Sequence, residues 1–194
     1  KAKEKLPGIY HQNLKGAIEY HDGQFDDARL AINLVQSIWE NNGYAFNYIK
    51  VTGLQKNEQG KITAVSATDA ETGDCFSFKT KAVVNATGVF ADDILQMDKP
   101  GSSKTVCVSQ GIHLVVDKKF FPSEAALMIP KTSDGRVLFV VPWHGKLLIG
   151  TTDTAVETAS LEPVALQKEV DFILETAGQY LVQKPVAADV LSVF

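Results

Sequence analysis

Apolar side chains recur along the chain with two periods, and these predict a mixture of helices and strands. Between residues 27 and 40 they recur every three or four positions, which is typical of one helix face. Asp26 or Asp27 is suited to cap this helix, and Gly43 is suited to the left-handed position after it. A second amphipathic helix is predicted over residues 166–181.

Alternating apolar and polar residues predict two groups of strands. The first group follows the first helix and reads as a three-stranded meander with Gly-containing turns. Its strands are residues 44–54, 61–69 and 75–79. The second group reads as an antiparallel sheet. Its strands are residues 106–116, 136–142 and 146–150. Short strands are also predicted over residues 16–20 and in the last five residues.

A β-branched apolar run over residues 81–88 ends in Ala86-Thr87-Gly88, just before a helix predicted over residues 91–97. A covered strand, a tight turn and a helix N-terminus together present backbone N–H groups to an anion. In open α/β sheets, ligands bind at the carboxyl ends of such strands. The motif is short, so a covered strand with an ordinary turn explains it equally well.

The composition is that of a globular protein. The 194 residues are 45% hydrophobic and 22% charged, which suffices for one or two cores. A formal net charge of -4 without a basic run argues against a nucleic-acid surface. Cys75 and Cys107 lack the spacing of a metal or redox site and read as structural thiols, with a disulfide left open. No metal site is predicted.

These elements predict the fold class α/β (α+β). Residues 1–22 read as an approach with one strand of a second domain, and residues 23–98 as the second half of a Rossmann-like, dinucleotide-binding domain with a β-meander. Residues 99–194 read as an antiparallel or mixed sheet that belongs to a substrate domain. The chain does not begin with Met and ends in an apolar alternation, so we expect a segment of a longer protein.

Five segments, in the same order, resemble the FAD-dependent glycerol-3-phosphate dehydrogenases and their oxidase relatives, within the amine-oxidase-like flavoproteins. The segments are residues 20–30 (YHDGQFDDARL), 83–88 (VVNATG), 110–116 (QGIHLVV), 134–143 (DGRVLFVVPW) and 149–153 (IGTTD). Each is weak alone, but five in register are specific. One departure is that Val89 follows Gly88 where the family usually has proline, which leaves φ at this turn unrestricted.

The resemblance implies bound FAD and oxidation of sn-glycerol 3-phosphate to dihydroxyacetone phosphate by hydride transfer to the flavin. It also implies a quinone as electron acceptor and a cytoplasmic enzyme with peripheral contact on the inner face of the cell membrane. Two alternatives stay open. One is a related flavin oxidoreductase that acts on an amine or a 2-hydroxy acid, and the other is a non-catalytic isolated domain.

Two residues are expected in the catalytic site. His113 interrupts an apolar strand and resembles a substrate-site histidine of the family, which suits a base for the hydroxyl proton. A histidine on the solvent face of the strand is the alternative. Arg136 resembles an arginine that holds the substrate phosphate, for which a guanidinium gives bidentate geometry. A solvated residue after the Asp134-Gly135 turn is the alternative.

The resemblance also assigns residues to the cofactor. Ala86, Thr87 and Gly88 are expected to let the backbone approach FAD closely, since glycine has no Cβ. Val51 resembles a position whose main chain pairs with the adenine edge, although plain strand packing is an equally good interpretation. Residues 151–153 follow a strand with turn chemistry and read as supporting rather than catalytic residues.

Overall fold

The computed structural model describes residues 2–12, 14–132 and 135–194. The chain divides into two compact units. Tyr20–Val106 forms one, which we call the meander unit, and the residues up to Glu19 together with Cys107–Phe194 form the other, which we call the sheet unit. The domain boundaries expected from the sequence, after residues 22 and 98, stay a prediction about the whole protein.

Four α-helices and ten strands are assigned in the described ranges. The helices are α1 Ala2–Lys5, α2 Asp27–Glu40, α3 Ala91–Asp98 and α4 Gln167–Tyr180, with 3-10 turns at Gly88–Phe90, Lys118–Phe120 and Ala187–Asp189. The strands are β1 Ile49–Lys56, β2 Ile62–Asp69, β3 Cys75–Lys79, β4 Ser109–Gln110, β5 His113–Asp117, β6 Leu127–Ile129, β7 Leu138–Trp143, β8 Lys146–Gly150, β9 Thr154–Ala155 and β10 Ser192–Val193.

Helix α2 begins and ends with the hydrogen bonds that helix termini require. The side chain of Asp26 accepts from the Arg29 N–H at 2.9 Å, which confirms the predicted cap. At the other end, the left-handed residue is Asn42, with φ of 58°, and not the predicted Gly43. The Gly43 N–H instead donates to the Ile38 carbonyl at 2.8 Å, which completes a Schellman-type end.

The apolar stripe of α2 lies on the surface. None of its residues is buried, and the side chains of Leu34 and Trp39 are 57% and 58% exposed. The meander unit also contains the antiparallel sheet β1-β2-β3, in which Ala64 and Ala67 of β2 are buried. Amphipathic helices are stabilised mainly by packing of their apolar face. In the described part of the chain, α2 does not receive that packing.

Three predicted strands outside the five-stranded sheet differ from the structure. The strand expected over residues 44–54 begins only at Ile49, because Tyr48 has φ of 57°, a left-handed conformation outside regular strand geometry. Residues 82–87 and 16–20 are not strands. A strand is defined by ladder hydrogen bonds to a neighbouring strand, and among the described residues neither segment is paired in such a ladder.

Both cysteines are free and exposed, so the disulfide left open by the sequence is not formed. Cys75 Sγ lies 3.8 Å from Thr68 Oγ1 on the neighbouring strand β2. The interpretation of the two thiols as structural stays a prediction. A short apolar context in the sequence does not distinguish the covered face of a strand from the open one.

The sheet unit is built around one antiparallel sheet of five strands, in the order β10-β5-β8-β7-β6. Alternate residues of its central strands form a single buried face, which α4 covers with Ile173 and Ala177. The central buried residues are Leu114 and Val116 of β5, Leu147 and Ile149 of β8, and Leu138 and Val140 of β7. The predicted strand 146–150 and the predicted second helix are confirmed. The opposite face of the sheet carries the half-buried side chains.

Truncation of the buried face is expected to destabilise the sheet unit. Leu114 has no exposed surface, so Leu114→Ala should lower the free energy of unfolding by about 2–5 kcal/mol through lost burial and a residual cavity. The exposed Leu161, at 84%, is the matched control, and Leu161→Ala should change it by less than about 0.5 kcal/mol. Urea unfolding measures both, and equal effects would contradict this assignment of the core.

Candidate functional site

His113 is the first residue of β5 and lies on the open face of the five-stranded sheet. Its neighbours along the strand, Leu114 and Val116, point to the buried face, and successive strand residues point to opposite faces. The imidazole is half-buried and stacks on the Phe194 ring, with centroids 5.4 Å apart. The Phe194 N–H donates to the His113 carbonyl at 3.1 Å and holds this edge of the strand in place.

Gly150 of β8 lies directly opposite His113 in the ladder. A Cβ on Gly150 would lie 2.5 Å from His113 Cδ2 and 2.8 Å from the Ile112 carbonyl oxygen, both too close for real atoms. The imidazole therefore lies against the backbone of β8, and only glycine leaves the space for it.

A second close approach fixes the residues before His113. A Cβ on Gly111 would lie 2.5 Å from both Thr151 Oγ1 and the Thr152 carbonyl oxygen. The Ile112 N–H donates to Thr152 Oγ1 at 3.0 Å. Ile112 is thus hydrogen-bonded to Thr152, and Gly111 lies against the same segment, which explains why the predicted strand 106–116 is split into β4 and β5.

Glu169, in the first turn of α4, is a buried carboxylate that the sequence reasoning missed. Its side chain is 2% exposed. Oε1 accepts from Thr152 Oγ1 at 3.3 Å, and Oε2 accepts from Gln110 Nε2 and from the Leu166 N–H, each at 2.9 Å. The last bond is that of a capping box, and an acidic residue at the third helical position was the signal that could have revealed it.

Glu169 and His113 have pKa values shifted away from their ordinary ranges. Burial raises the pKa of Glu169, but hydrogen bonds from the Leu166 N–H and from the side chains of Thr154, Gln110 and Thr152 outweigh burial, so the net pKa is lowered. Burial lowers the pKa of His113. At neutral pH, Glu169 is therefore ionised and His113 is a neutral imidazole that is able to accept a proton.

Arg136 lies on the other side of the sheet. Its guanidinium carbon is 5.0 Å from the centroid of the Phe172 ring, and Phe172 belongs to α4, the helix that covers the buried face. The Arg136 carbonyl accepts from the Thr132 N–H at 2.9 Å, while Asp134 of the predicted turn lies outside the described residues. The structure therefore does not bring Arg136 and His113 together on one face. The phosphate role of Arg136 stays a prediction.

The turn expected to approach a cofactor lies in the meander unit, directly before α3. Ala86, Thr87 and Gly88 are all exposed. The side chain of Asn85 holds the turn, because its Oδ1 accepts from Thr87 Oγ1 at 2.8 Å and its Nδ2 donates to the Ala91 carbonyl at 2.9 Å. Gly88 has φ of 56°, and a Cβ there would meet nothing within 4 Å.

Val51 lies in β1, an edge strand of the three-stranded sheet in the described chain. It is half-buried and pairs with Ala67 on one side. The pairing register shifts between Val51 and Gly53, which is the signature of a β-bulge. An edge strand presents main-chain donors and acceptors on its second side, so the geometry is compatible with the predicted main-chain contact.

The sequence family described as FAD dependent oxidoreductase (DAO) matches residues 1–194, the whole chain. The chain belongs to this family. The resemblance seen in the sequence motifs is therefore confirmed at the level of the family.

The chain is also similar to glycerol-3-phosphate dehydrogenases. It is 36% identical to a probable mitochondrial glycerol-3-phosphate dehydrogenase of Caenorhabditis elegans, over 93% of the chain and 25% of that protein. It is 36% identical to the mitochondrial glycerol-3-phosphate dehydrogenase of Schizosaccharomyces pombe, over 96% of the chain and 30% of that protein. The chain thus spans a quarter to a third of the length of these relatives.

One solved structure is similar in both fold and sequence. The glycerol-3-phosphate dehydrogenase of Bacillus halodurans, in complex with FAD, matches with a TM-score of 0.92 and 34% identity. The match covers 99% of the chain and 39% of the bacterial chain. The predicted fold class, α/β (α+β) with a partial FAD-binding half and a sheet domain, is confirmed by this likeness.

The residues expected to bind FAD in this family fit a dinucleotide. The turn at Ala86-Thr87-Gly88 has short, exposed side chains, lies at a helix N-terminus and has a glycine in the left-handed conformation. Val51 adds main-chain groups at an open strand edge.

Among the described residues, no three His, Cys, Asp or Glu side chains lie together as ligands for a metal ion. Nor does any helix of the described ranges have the length and apolar character needed to cross a membrane.

Filling the space above Gly150 is expected to displace the imidazole of His113. Gly150→Ala should lower the free energy of unfolding by about 1–3 kcal/mol, because the added methyl group overlaps His113 and Ile112. Gly53 is a matched strand glycine, and a Cβ there would lie 3.7 Å from Ser66 Cβ, an ordinary contact. Gly53→Ala should therefore not destabilise the chain. Chemical unfolding measures both, and equal losses would argue against the close approach at His113.

Proposed function

We propose that the protein to which this chain belongs is an FAD-dependent dehydrogenase that oxidises sn-glycerol 3-phosphate to dihydroxyacetone phosphate. The observation that carries the proposal is the likeness of nearly the whole chain to the FAD complex of the Bacillus halodurans glycerol-3-phosphate dehydrogenase. Mitochondrial glycerol-3-phosphate dehydrogenases of two eukaryotes support the same substrate at similar identity. The chain spans only part of these relatives, so the activity belongs to the longer protein.

His113 is the proposed catalytic base. Oxidation of a secondary alcohol removes a hydride from carbon and a proton from the hydroxyl oxygen, and the base must reach that proton. Burial lowers the pKa of His113, so its imidazole is neutral and able to accept at physiological pH. Gly150 and Phe194 hold the ring on the open face of the sheet.

Bound FAD supplies the acceptor for the hydride, while the protein holds and orients it. Ala86, Thr87 and Gly88 are proposed to contact it through the backbone, and Asn85 keeps that turn rigid. Val51 is proposed to pair through its main chain with the adenine edge. The N–H groups at the start of α3 are proposed to face the phosphates of FAD, while Asp92 of the same helix turn accepts from the Thr105 and Val106 N–H groups.

The electron acceptor and the location are further parts of the proposal. We propose a quinone as acceptor and a cytoplasmic enzyme with peripheral contact on the inner face of the cell membrane, as the family resemblance implies. Comparison of a soluble quinone with oxygen in one turnover assay distinguishes a dehydrogenase from an oxidase. Salt washing of membrane fractions tests the peripheral contact, and enzyme found only in the supernatant before washing would contradict it.

Replacement of His113 tests the proposed chemistry in the full-length enzyme with an artificial electron acceptor. His113→Asn should lower kcat for glycerol 3-phosphate by about 10²–10⁴-fold, the typical contribution of a general base. In the wild type, activity should fall as the pH drops through the lowered pKa of His113, below about 6.5, because only the neutral ring accepts a proton. The exposed His144 is the control, and His144→Asn should retain both the rate and the pH profile.

Two outcomes would contradict this assignment. Full activity of His113→Asn would remove the residue from the role of base. Activity on unphosphorylated 2-hydroxy acids or amines, without activity on glycerol 3-phosphate, would replace the proposed substrate with one of the alternatives.

Arg136 is tested separately because its contact with Phe172 gives it a structural role. Arg136→Ala should lower the free energy of unfolding by about 1–2 kcal/mol through loss of a half-buried cation–π contact. If the guanidinium also holds the phosphate, KM for glycerol 3-phosphate should rise by about 100-fold, as for a lost charge-assisted hydrogen bond. Phe172→Leu is the control that keeps the guanidinium. An unchanged KM in Arg136→Ala would exclude the phosphate role.

A further inference from the structure

A continuous chain of hydrogen bonds joins the first turn of α4 to the residue before His113. Glu169 Oε1 accepts from Thr152 Oγ1 at 3.3 Å, and Thr152 Oγ1 accepts from the Ile112 N–H at 3.0 Å. Thr152 and Glu169 are 3% and 2% exposed, so water does not compete for these bonds. His113 follows Ile112 directly, which places the end of this chain one residue from the proposed base.

We infer that Glu169 is a positioning residue for His113: its carboxylate orients the Thr152 hydroxyl, which in turn fixes the main chain at Ile112 and thereby the imidazole on Gly150. The inference rests on the proposed role of His113 as base. It adds a residue from another element, α4, and gives Thr152 of the IGTTD motif a defined task in place of a merely structural one.

The donors and acceptors around Thr152 Oγ1 allow one pattern of hydrogen bonds. A hydroxyl has a single hydrogen, and because the Ile112 N–H occupies an oxygen lone pair of Thr152, that hydrogen is available for Glu169. An ionised carboxylate only accepts, so it holds the hydroxyl in this direction. Its second oxygen is fixed by Gln110 Nε2 and the Leu166 N–H, which prevents the side chain from rotating away.

The surrounding packing transmits this orientation to the imidazole. Gly111 and Gly150 have no space for a Cβ on the sides that face Thr151, Thr152 and Ile112. A small shift of Thr152 therefore moves Ile112, since the two segments touch without intervening side chains. The His113 ring follows, because its Cδ2 lies against Gly150.

Substitution of Glu169 and Thr152 in the full-length, FAD-loaded enzyme tests the inference. Glu169→Gln puts an amide donor among groups that also donate, so the Thr152 hydroxyl loses its fixed direction. We expect kcat to fall by about tenfold, with KM changed by less than about twofold, since a misplaced base affects the reaction more than binding. Thr152→Val should have the same effect, whereas Thr152→Ser keeps the hydroxyl and should restore most of the rate. The double variant Glu169→Gln/Thr152→Val should be no worse than either single variant.

A readout independent of turnover reports on the imidazole itself. Diethyl pyrocarbonate modifies neutral histidines, and mass spectrometry of the peptides gives the rate for His113, with the exposed His144 as internal reference. We expect the pH dependence of the modification rate of His113 to shift in Glu169→Gln and in Thr152→Val. The pH dependence for His144 should be the same in both variants as in the wild type. Asp189→Asn is the matched control, because Asp189 Oδ2 accepts from the Val186 N–H at 3.0 Å in the same capping geometry but has no bond to Thr152.

The outcomes separate this inference from the proposed function. Wild-type kinetics and His113 modification in both Glu169→Gln and Thr152→Val would overturn the positioning role, even if His113→Asn is inactive. An equal loss in Thr152→Ser and Thr152→Val would also overturn it, because the hydroxyl would then be irrelevant. An active His113→Asn would instead overturn the base, and altered His113 modification in Glu169→Gln would still establish the physical link. Should Glu169→Gln not fold, the two Thr152 variants decide.

Discussion

The close approach of two backbone segments, residues 111–113 and residues 150–152, is the constraint on which the candidate site depends. Each segment carries a glycine, Gly111 or Gly150, at the position where the other segment leaves no space for a side chain. The approach ends one strand, starts another and places an imidazole on the open face of the sheet. Two motifs that lie far apart in the sequence are therefore one structural feature, and their side chains are fixed relative to each other by backbone contact.

Burial acts on two titratable groups of the sheet unit with opposite results. Removal from water disfavours the charged form of both Glu169 and His113. Glu169 keeps its charge because several donors compensate for lost water, whereas the shift at His113 is caused by burial and leaves the ring neutral. A fixed negative charge thus lies at one end of the hydrogen-bonded chain, and the neutral imidazole belongs to the residue that follows its other end, Ile112. Each protonation state suits the task proposed for it.

Periodicity predicted the elements that are specified by residues close together in the sequence. Helix α2 with its Asp26 cap, strands β3 and β8, and helix α4 follow from local patterns that the folded chain preserves. The segment before Gly88 was wrongly predicted as a strand, because pairing depends on a partner and not on β-branched residues alone. The contact of Arg136 with Phe172 and the burial of Glu169 were likewise not predictable, since both depend on a helix packing across a sheet from residues far away in the sequence.

The exposed stripe on α2 has a thermodynamic consequence for the meander unit. Its leucine, isoleucine and tryptophan side chains remain hydrated. In the described part of the chain, the apolar face of this helix therefore adds little hydrophobic free energy to the stability of the unit. Whatever surface covers them adds roughly 25 cal/mol for each Å² of apolar area removed from water. The turn at Ala86-Thr87-Gly88 and strand β1 belong to the same unit. The rigidity of both therefore depends on how completely the apolar face of α2 is covered.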